Sequence, residues 1–277
     1  MYSIYHFFAH LLRNRTLLSE TGKLDAFAFD VELLSCKNIG KFPDLAIRIN
    51  PEGSELTGGE LIELKDSASY TIPSFNSTIP TGKKDIRKVV KGTTNRAYRQ
   101  MIAAGDDVFS LPIREVFYLI RGRSGGNTKV CLVHGSFFET LPVETLLKQA
   151  FSRVLEERIS ESRLDINAEV KAALIEIFSQ QESFSKVRDI DNASVKLRFR
   201  VMTEAKAEGN ILNPSRYPDL KDNTLNFVLP CEDEAMQTAI FAYIKLAFAE
   251  SEVKQMSVFR VKHWLNGWYL VFQVPLR

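Results

Sequence analysis

Cysteine and histidine are scarce in this chain, with three and four among its 277 residues. Cys36, Cys131 and Cys231 are far apart, and no pair has zinc-ligand or redox spacing. That excludes a zinc ribbon or a thioredoxin-type motif, and the odd count suits a reducing compartment. The histidines are scattered at positions 6, 10, 134 and 263, so neither a histidine metal cluster nor a Ser-His-Asp triad has support. Net charge is only +2, which excludes a polycation that coats nucleic acid indiscriminately. No apolar run approaches the roughly 18–20 residues of a membrane span. The first residues lack a basic segment, and His6, His10, Arg13 and Arg15 interrupt their apolar pattern, unlike a signal peptide. A cytoplasmic protein of a prokaryotic cell is the expectation, with no membrane partner. Residues 122–126 are glycine-rich but lack the Gly-Lys-Ser/Thr ending of a phosphate-binding loop, so no nucleotide cofactor is expected.

What is present is an ordinary globular composition, 45% hydrophobic and 25% charged, long enough to bury a proper core. No internal repeat or low-complexity stretch interrupts it. Ile4, Phe7, Phe8, Leu11 and Leu12 recur at helical spacing, which predicts a helix over 4–13. Residues 24–34 are open between strand and helix. Strands are predicted over 44–49 and 60–65, with turn residues Asn50-Pro51 and Gly58-Gly59 between them. A polar loop, 66–82, leads to helices over 83–91 and 94–104, ending at Gly92 and near Gly105. Strands follow at 114–121 and 128–134, then helices at 143–160 and 167–180. A strand near 194–202, a helix at 234–249 and a hairpin pairing 257–264 with 268–275 across Asn266-Gly267 complete the chain. The mixture predicts an α/β (α+β) fold, a mixed β-sheet flanked by helices. A soft boundary near 142 would divide a 1–142 core from a 143–277 α+β half for DNA recognition or dimerisation, with one continuous fold as the alternative.

The chemistry-bearing pattern is Phe42-Pro43-Asp44, followed after eighteen residues by Glu63-Leu64-Lys65. Strand alternation puts Asp44, Ala46 and Arg48 on one face, and Leu61, Glu63 and Lys65 on one face, with apolar residues behind both sets. An antiparallel hairpin folded about residues 54–55 would set Asp44 opposite Lys65, one step from the level of Glu63. Facing and diagonal Cβ atoms are then about 4.5–8 Å apart, so both carboxylates can converge on one divalent ion. Carboxylate oxygens suit Mg²⁺, which keeps several waters and accepts a phosphate oxygen. A lysine beside the ion can orient the attacking water or stabilise developing charge.

Pro43-Asp44 with Glu63-Leu64-Lys65 resembles the signature of the PD-(D/E)XK nuclease superfamily, which includes most type II restriction endonucleases. The resemblance covers roughly residues 25–121 and rests on a short motif. It implies that Asp44 and Glu63 ligate Mg²⁺, with Mn²⁺ as a substitute, that the backbone carbonyl of Leu64 joins them, and that Lys65 handles the water. It also implies a helix, the acidic strand, the Glu-x-Lys strand, a helix and then the 114–121 strand. Some members carry a further acid on an early helix, for which Glu32 is the candidate.

Lys83, Lys84, Arg87, Lys88, Lys91, Arg96 and Arg99 stand against a single acid, Asp85, in residues 83–99. On a helix, Lys84, Arg87, Lys88 and Lys91 would form one stripe of repelling charges, relieved by a polyanion. Ser74, Asn76, Ser77 and Thr78 in the polar loop can contact phosphates and base edges. The expected partner is double-stranded DNA, and the expected activity is that of a type II site-specific deoxyribonuclease leaving 5′-phosphates. Paired cuts favour a homodimer. A repair or structure-specific nuclease on the same core is the first alternative. A non-catalytic DNA-binding protein is the second.

Overall fold

A computed structural model describes residues 2–49, 58–75, 79–139, 143–162, 165–179 and 205–277. The chain opens with α1 (Tyr2–Arg13) and α2 (Arg15–Glu20), followed by the strands β1 (Leu34–Lys37), β2 (Leu45–Ile47) and β3 (Leu61–Ser67). Next come β4 (Lys83–Asp85), α3 (Ile86–Val89), α4 (Arg96–Ala103), β5 (Ile113–Ser124) and β6 (Asn127–His134). The helices α5 (Val143–Ser162) and α6 (Ala168–Ser179) precede β7 (Thr224–Pro230) and α7 (Glu234–Ala247). A short α8 (Glu250–Val253) and the hairpin β8 (Ser257–His263) and β9 (Gly267–Pro275) end the chain. The fold is mixed α+β, as the pattern of the sequence predicts.

Among the described residues the strands form one mixed sheet in the order β1-β2-β3-β5-β6-β7-β9-β8, with β4 added beside β5. The first three strands are antiparallel neighbours, whereas β3 pairs parallel to β5 after the intervening helices. One compact unit comprises Met1–Pro73, Thr81–Phe138 and Ala205–Arg277 and contains the whole sheet. The other, Ser74–Pro80 with Glu139–Glu204, contains α5 and α6. Residues 205–277 therefore return to the first sheet instead of continuing a separate half from 143. The strand expected near 194–202 lies outside the described residues.

One face of the sheet is apolar over its middle, with the Arg121–Asp66 and His134–Glu115 pairs at its margins. Leu45, Ile47, Ile62, Phe117, Leu119, Leu132, Phe227 and Phe272 point there and are buried against α1 and α7. Every apolar residue of the predicted stripe in α1 is buried, and Phe8 stacks on Phe227 at 4.7 Å between ring centroids. Burying each such side chain contributes about 1.5–3 kcal/mol. Alternation then sends Glu63 and Lys65 to the opposite face.

The helix expected over 83–91 is not formed as one element: Lys83 and Lys84 belong to β4, and α3 is a single turn. The reason is local pairing: Lys83 and Lys84 lie across from Glu115 and Arg114 on β5, and Asp85 then caps α3 by accepting the Arg87 N–H at 2.9 Å. The stripe of Lys84, Arg87, Lys88 and Lys91 is accordingly split over a strand, a turn of helix and a loop. Residues 24–34 hold a short 3-10 turn, Leu24–Ala26, then a turn that enters β1 at Leu34.

Candidate active site

Asp44 sits immediately before β2, buried and fixed by the backbone around it. Its Oδ1 accepts the Gly40 N–H at 3.0 Å and its Oδ2 accepts the Leu64 N–H at 2.9 Å. Its own carbonyl accepts the Asn38 N–H at 2.8 Å. The carboxylate is thus aimed at the middle of the Glu-Leu-Lys segment by three main-chain bonds, an arrangement that costs little further ordering.

The β2–β3 register pairs Leu45 with Ile62 and Ala46 with Leu61, so its continuation sets Asp44 across from Glu63. The expected pairing of Asp44 with Lys65 is corrected by two residues. A two-residue shift keeps every side chain on its face, and the hydrophobic pattern therefore does not distinguish the two registers. The observed one brings the two carboxylates closer together.

Glu63 is buried, and its Oε1 accepts from the Lys65 ammonium at 3.1 Å. Its Oε2 is sealed from solvent with no hydrogen-bond partner. Burial pushes the Glu63 pKa up to about 7; the Lys65 charge opposes the rise and the nearby Asp44 charge adds to it. A buried carboxylate oxygen without a donor, beside a second carboxylate, favours positive charge at this place. Asp44 and Glu63, with the main chain of Leu64 between them, form a set of oxygen donors that fits a hard divalent cation held by one or two carboxylates. Among the described residues no group of three or more His, Cys, Asp or Glu that could hold a metal gathers.

The raised Glu63 pKa has a measurable consequence without any ion. A carboxyl whose folded pKa lies above its unfolded value stabilises the fold fully below about pH 4.3 and loses that contribution as pH rises through 7. The difference in unfolding free energy between wild type and Glu63→Gln should shift in favour of the variant by about 3 kcal/mol from pH 4 to pH 8. Urea unfolding in a chelating buffer reads this directly, and a pH-independent difference would refute the assignment.

The other predicted residues are placed unequally. Glu32 is exposed in the turn before β1, its N–H bound to Asp30 Oδ1, and it is neither on an early helix nor grouped with the carboxylates. Its role is corrected because Asp30 forms a local turn where a helix was required. Lys84 is half-buried, with its ammonium 5.3 Å from the ring centre of Phe42, two residues before Asp44. Lys83 is exposed and pairs with Glu115 at 3.3 Å. Arg87, Lys88, Lys91, Arg96 and Arg99 are exposed, the last two on α4, which Asn95 caps. Ser74 is half-buried, while Asn76, Ser77 and Thr78 lie outside the described residues.

Sequence reasoning missed Tyr118, which lies across from Glu63 on β5 and is buried on the same side of the sheet. Alternation in 114–121 carried the signal, because Val116, Tyr118 and Ile120 share a face. It also missed Gly40, whose N–H fixes Asp44. No protein-family model, curated protein or solved structure matches this chain.

Proposed function

We propose that this protein is a Mg²⁺-dependent DNA endonuclease of the PD-(D/E)XK type, and in its finer form a type II restriction endonuclease. The observation that carries this reading is the buried Asp44–Glu63 pair, with one unpartnered carboxylate oxygen beside the Lys65 ammonium. The order of elements supports it as well, since an early helix, the two acidic strands, a helix and a strand parallel to β3 follow one another.

In this reading Asp44 and Glu63 hold the ion, together with the Leu64 carbonyl. Bound Mg²⁺ would supply Lewis acidity at the scissile phosphate and lower the pKa of a water. Lys65, held by Glu63, orients the attacking water and stabilises charge developing on the phosphate. The exposed cations of 83–99 receive the flanking phosphates, and Lys84 does so nearest the carboxylates, through its contact with Phe42.

Purified protein incubated with plasmid and Mg²⁺ or Mn²⁺ should give discrete fragments carrying 5′-phosphates. A smear, or a preference for nicked or branched DNA, would instead favour the repair class of nuclease. Intact plasmid over a range of divalent ions and salt would leave a non-catalytic DNA-binding protein.

A further inference from the structure

The outer face of α7 is apolar where a solvated helix is normally polar. Met236, Tyr243 and Leu246 are 40%, 37% and 60% exposed, and Ala235, Ala239 and Ala242 between them are exposed too. At the pitch of an α-helix these six side chains fall within about 120° of arc, which adjoins the buried arc of Ala247, Ile240 and Ile244. No charge interrupts the stripe, so a polyanion is not its partner. Glu234 and Lys245, both exposed, lie together on one flank, about three turns apart.

We propose that this face of α7 is the dimer interface, covered by α7 of a second copy packed antiparallel across a two-fold axis. The charges select that occupant. When two identical helices pack antiparallel, the same flank of each faces the other, and residues symmetric about the axis meet. With the axis between Ala239 and Ile240, Glu234 meets Lys245 of the partner subunit, and Met236 packs on Tyr243 of the partner subunit. Both pairs are satisfied in a single register. The alanines at the centre let the helix axes approach to about 8 Å.

The interface stands independently of the nuclease reading and is not the two-fold arrangement that paired cuts in one duplex require. Because α7 packs on the face of the sheet opposite Glu63 and Lys65, the two carboxylate sites of such a dimer open on opposite sides, each toward its own duplex.

Sedimentation equilibrium in chelating buffer without DNA tests the interface, whatever becomes of the nuclease reading. Wild type should run at twice the 31.5 kDa chain mass, and Leu246→Glu at the monomer mass with an unchanged circular dichroism spectrum. Glu234→Lys and Lys245→Glu should each raise the dissociation constant about tenfold, and the double variant should restore it to within about threefold. A monomeric wild type, or a dimer that survives Leu246→Glu, overturns the proposal. A double variant no tighter than either single one overturns the antiparallel register.

Discussion

Glu63→Gln should reduce Mg²⁺-dependent DNA cleavage by about 10³-fold or more while leaving the metal-free protein more stable than wild type above neutral pH. The two effects have one origin. The site gathers two carboxylates where one oxygen of Glu63 lacks a donor, which disfavours the Glu63 charge and favours a cation. Glutamine keeps an oxygen for the Lys65 ammonium and removes the charge. Asp44→Asn should lose cleavage to a similar extent but without the gain in stability, because Asp44 accepts backbone N–H groups on both oxygens and an amide serves only one. Lys65→Met should cost about 10²–10⁴-fold, as expected for a group that acts on the water or the developing charge. Single-turnover cleavage alongside urea unfolding separates chemistry from folding. A Glu63→Gln protein that cuts DNA normally would remove the proposed metal site.

The second large effect concerns folding. Arg121→Met should destabilise the sheet-bearing unit by about 3–5 kcal/mol, a fall in melting temperature of the order of 10 °C. Arg121 is fully buried, and its Nε and Nη2 donate to Asp66 at 2.9 and 2.6 Å. Its Nη1 donates to the Leu18 and Thr21 carbonyls at 2.8 and 2.7 Å, closing the C-terminal end of α2. Methionine fills the space but leaves those carbonyls unbonded and strands the Asp66 charge. Burial opposes ionisation of Asp66, but the hydrogen bonds from Arg121, the Leu24 N–H and the Arg123 charge outweigh it and lower its pKa. A depressed carboxylate stabilises the fold above its unfolded pKa of about 3.9 and loses that contribution as pH falls through the folded value. The gap between wild type and Arg121→Met should therefore narrow below about pH 4. Equal stability at pH 7 would show that the buried guanidinium carries no net weight.

Arg121 also shows where sequence reasoning stops. It ends the strand predicted over 114–121, and nothing in that segment shows that its guanidinium reaches Asp66 on β3 and the carbonyls that end α2. The strands β2 and β3, α1, α4 and the terminal hairpin were legible, because each has its own period or turn residue. The predicted hairpin turns at Trp264–Asn266, one residue earlier than Asn266-Gly267 suggests, and Gly267, with φ at +80°, opens β9. The strand β7 was not legible, although it lies between β6 and β9. Its run Leu225-Asn226-Phe227-Val228-Leu229 is buried on both faces and shows no alternation, since Asn226 is satisfied by Val130, Thr224 and Gln273 instead of by water.

The sequence by itself determined that Asp44, Glu63 and Lys65 share one side of a sheet, because alternation of apolar and polar residues is a local property of each strand. It determined the mixed α+β class for the same reason. Only the tertiary structure decided which carboxylate faces which, that Glu32 stands apart, that the basic segment begins as a strand, and that residues 205–277 complete the first sheet. Each of these depends on hydrogen bonds between segments distant in sequence, and such pairings leave no period in the chain that makes them.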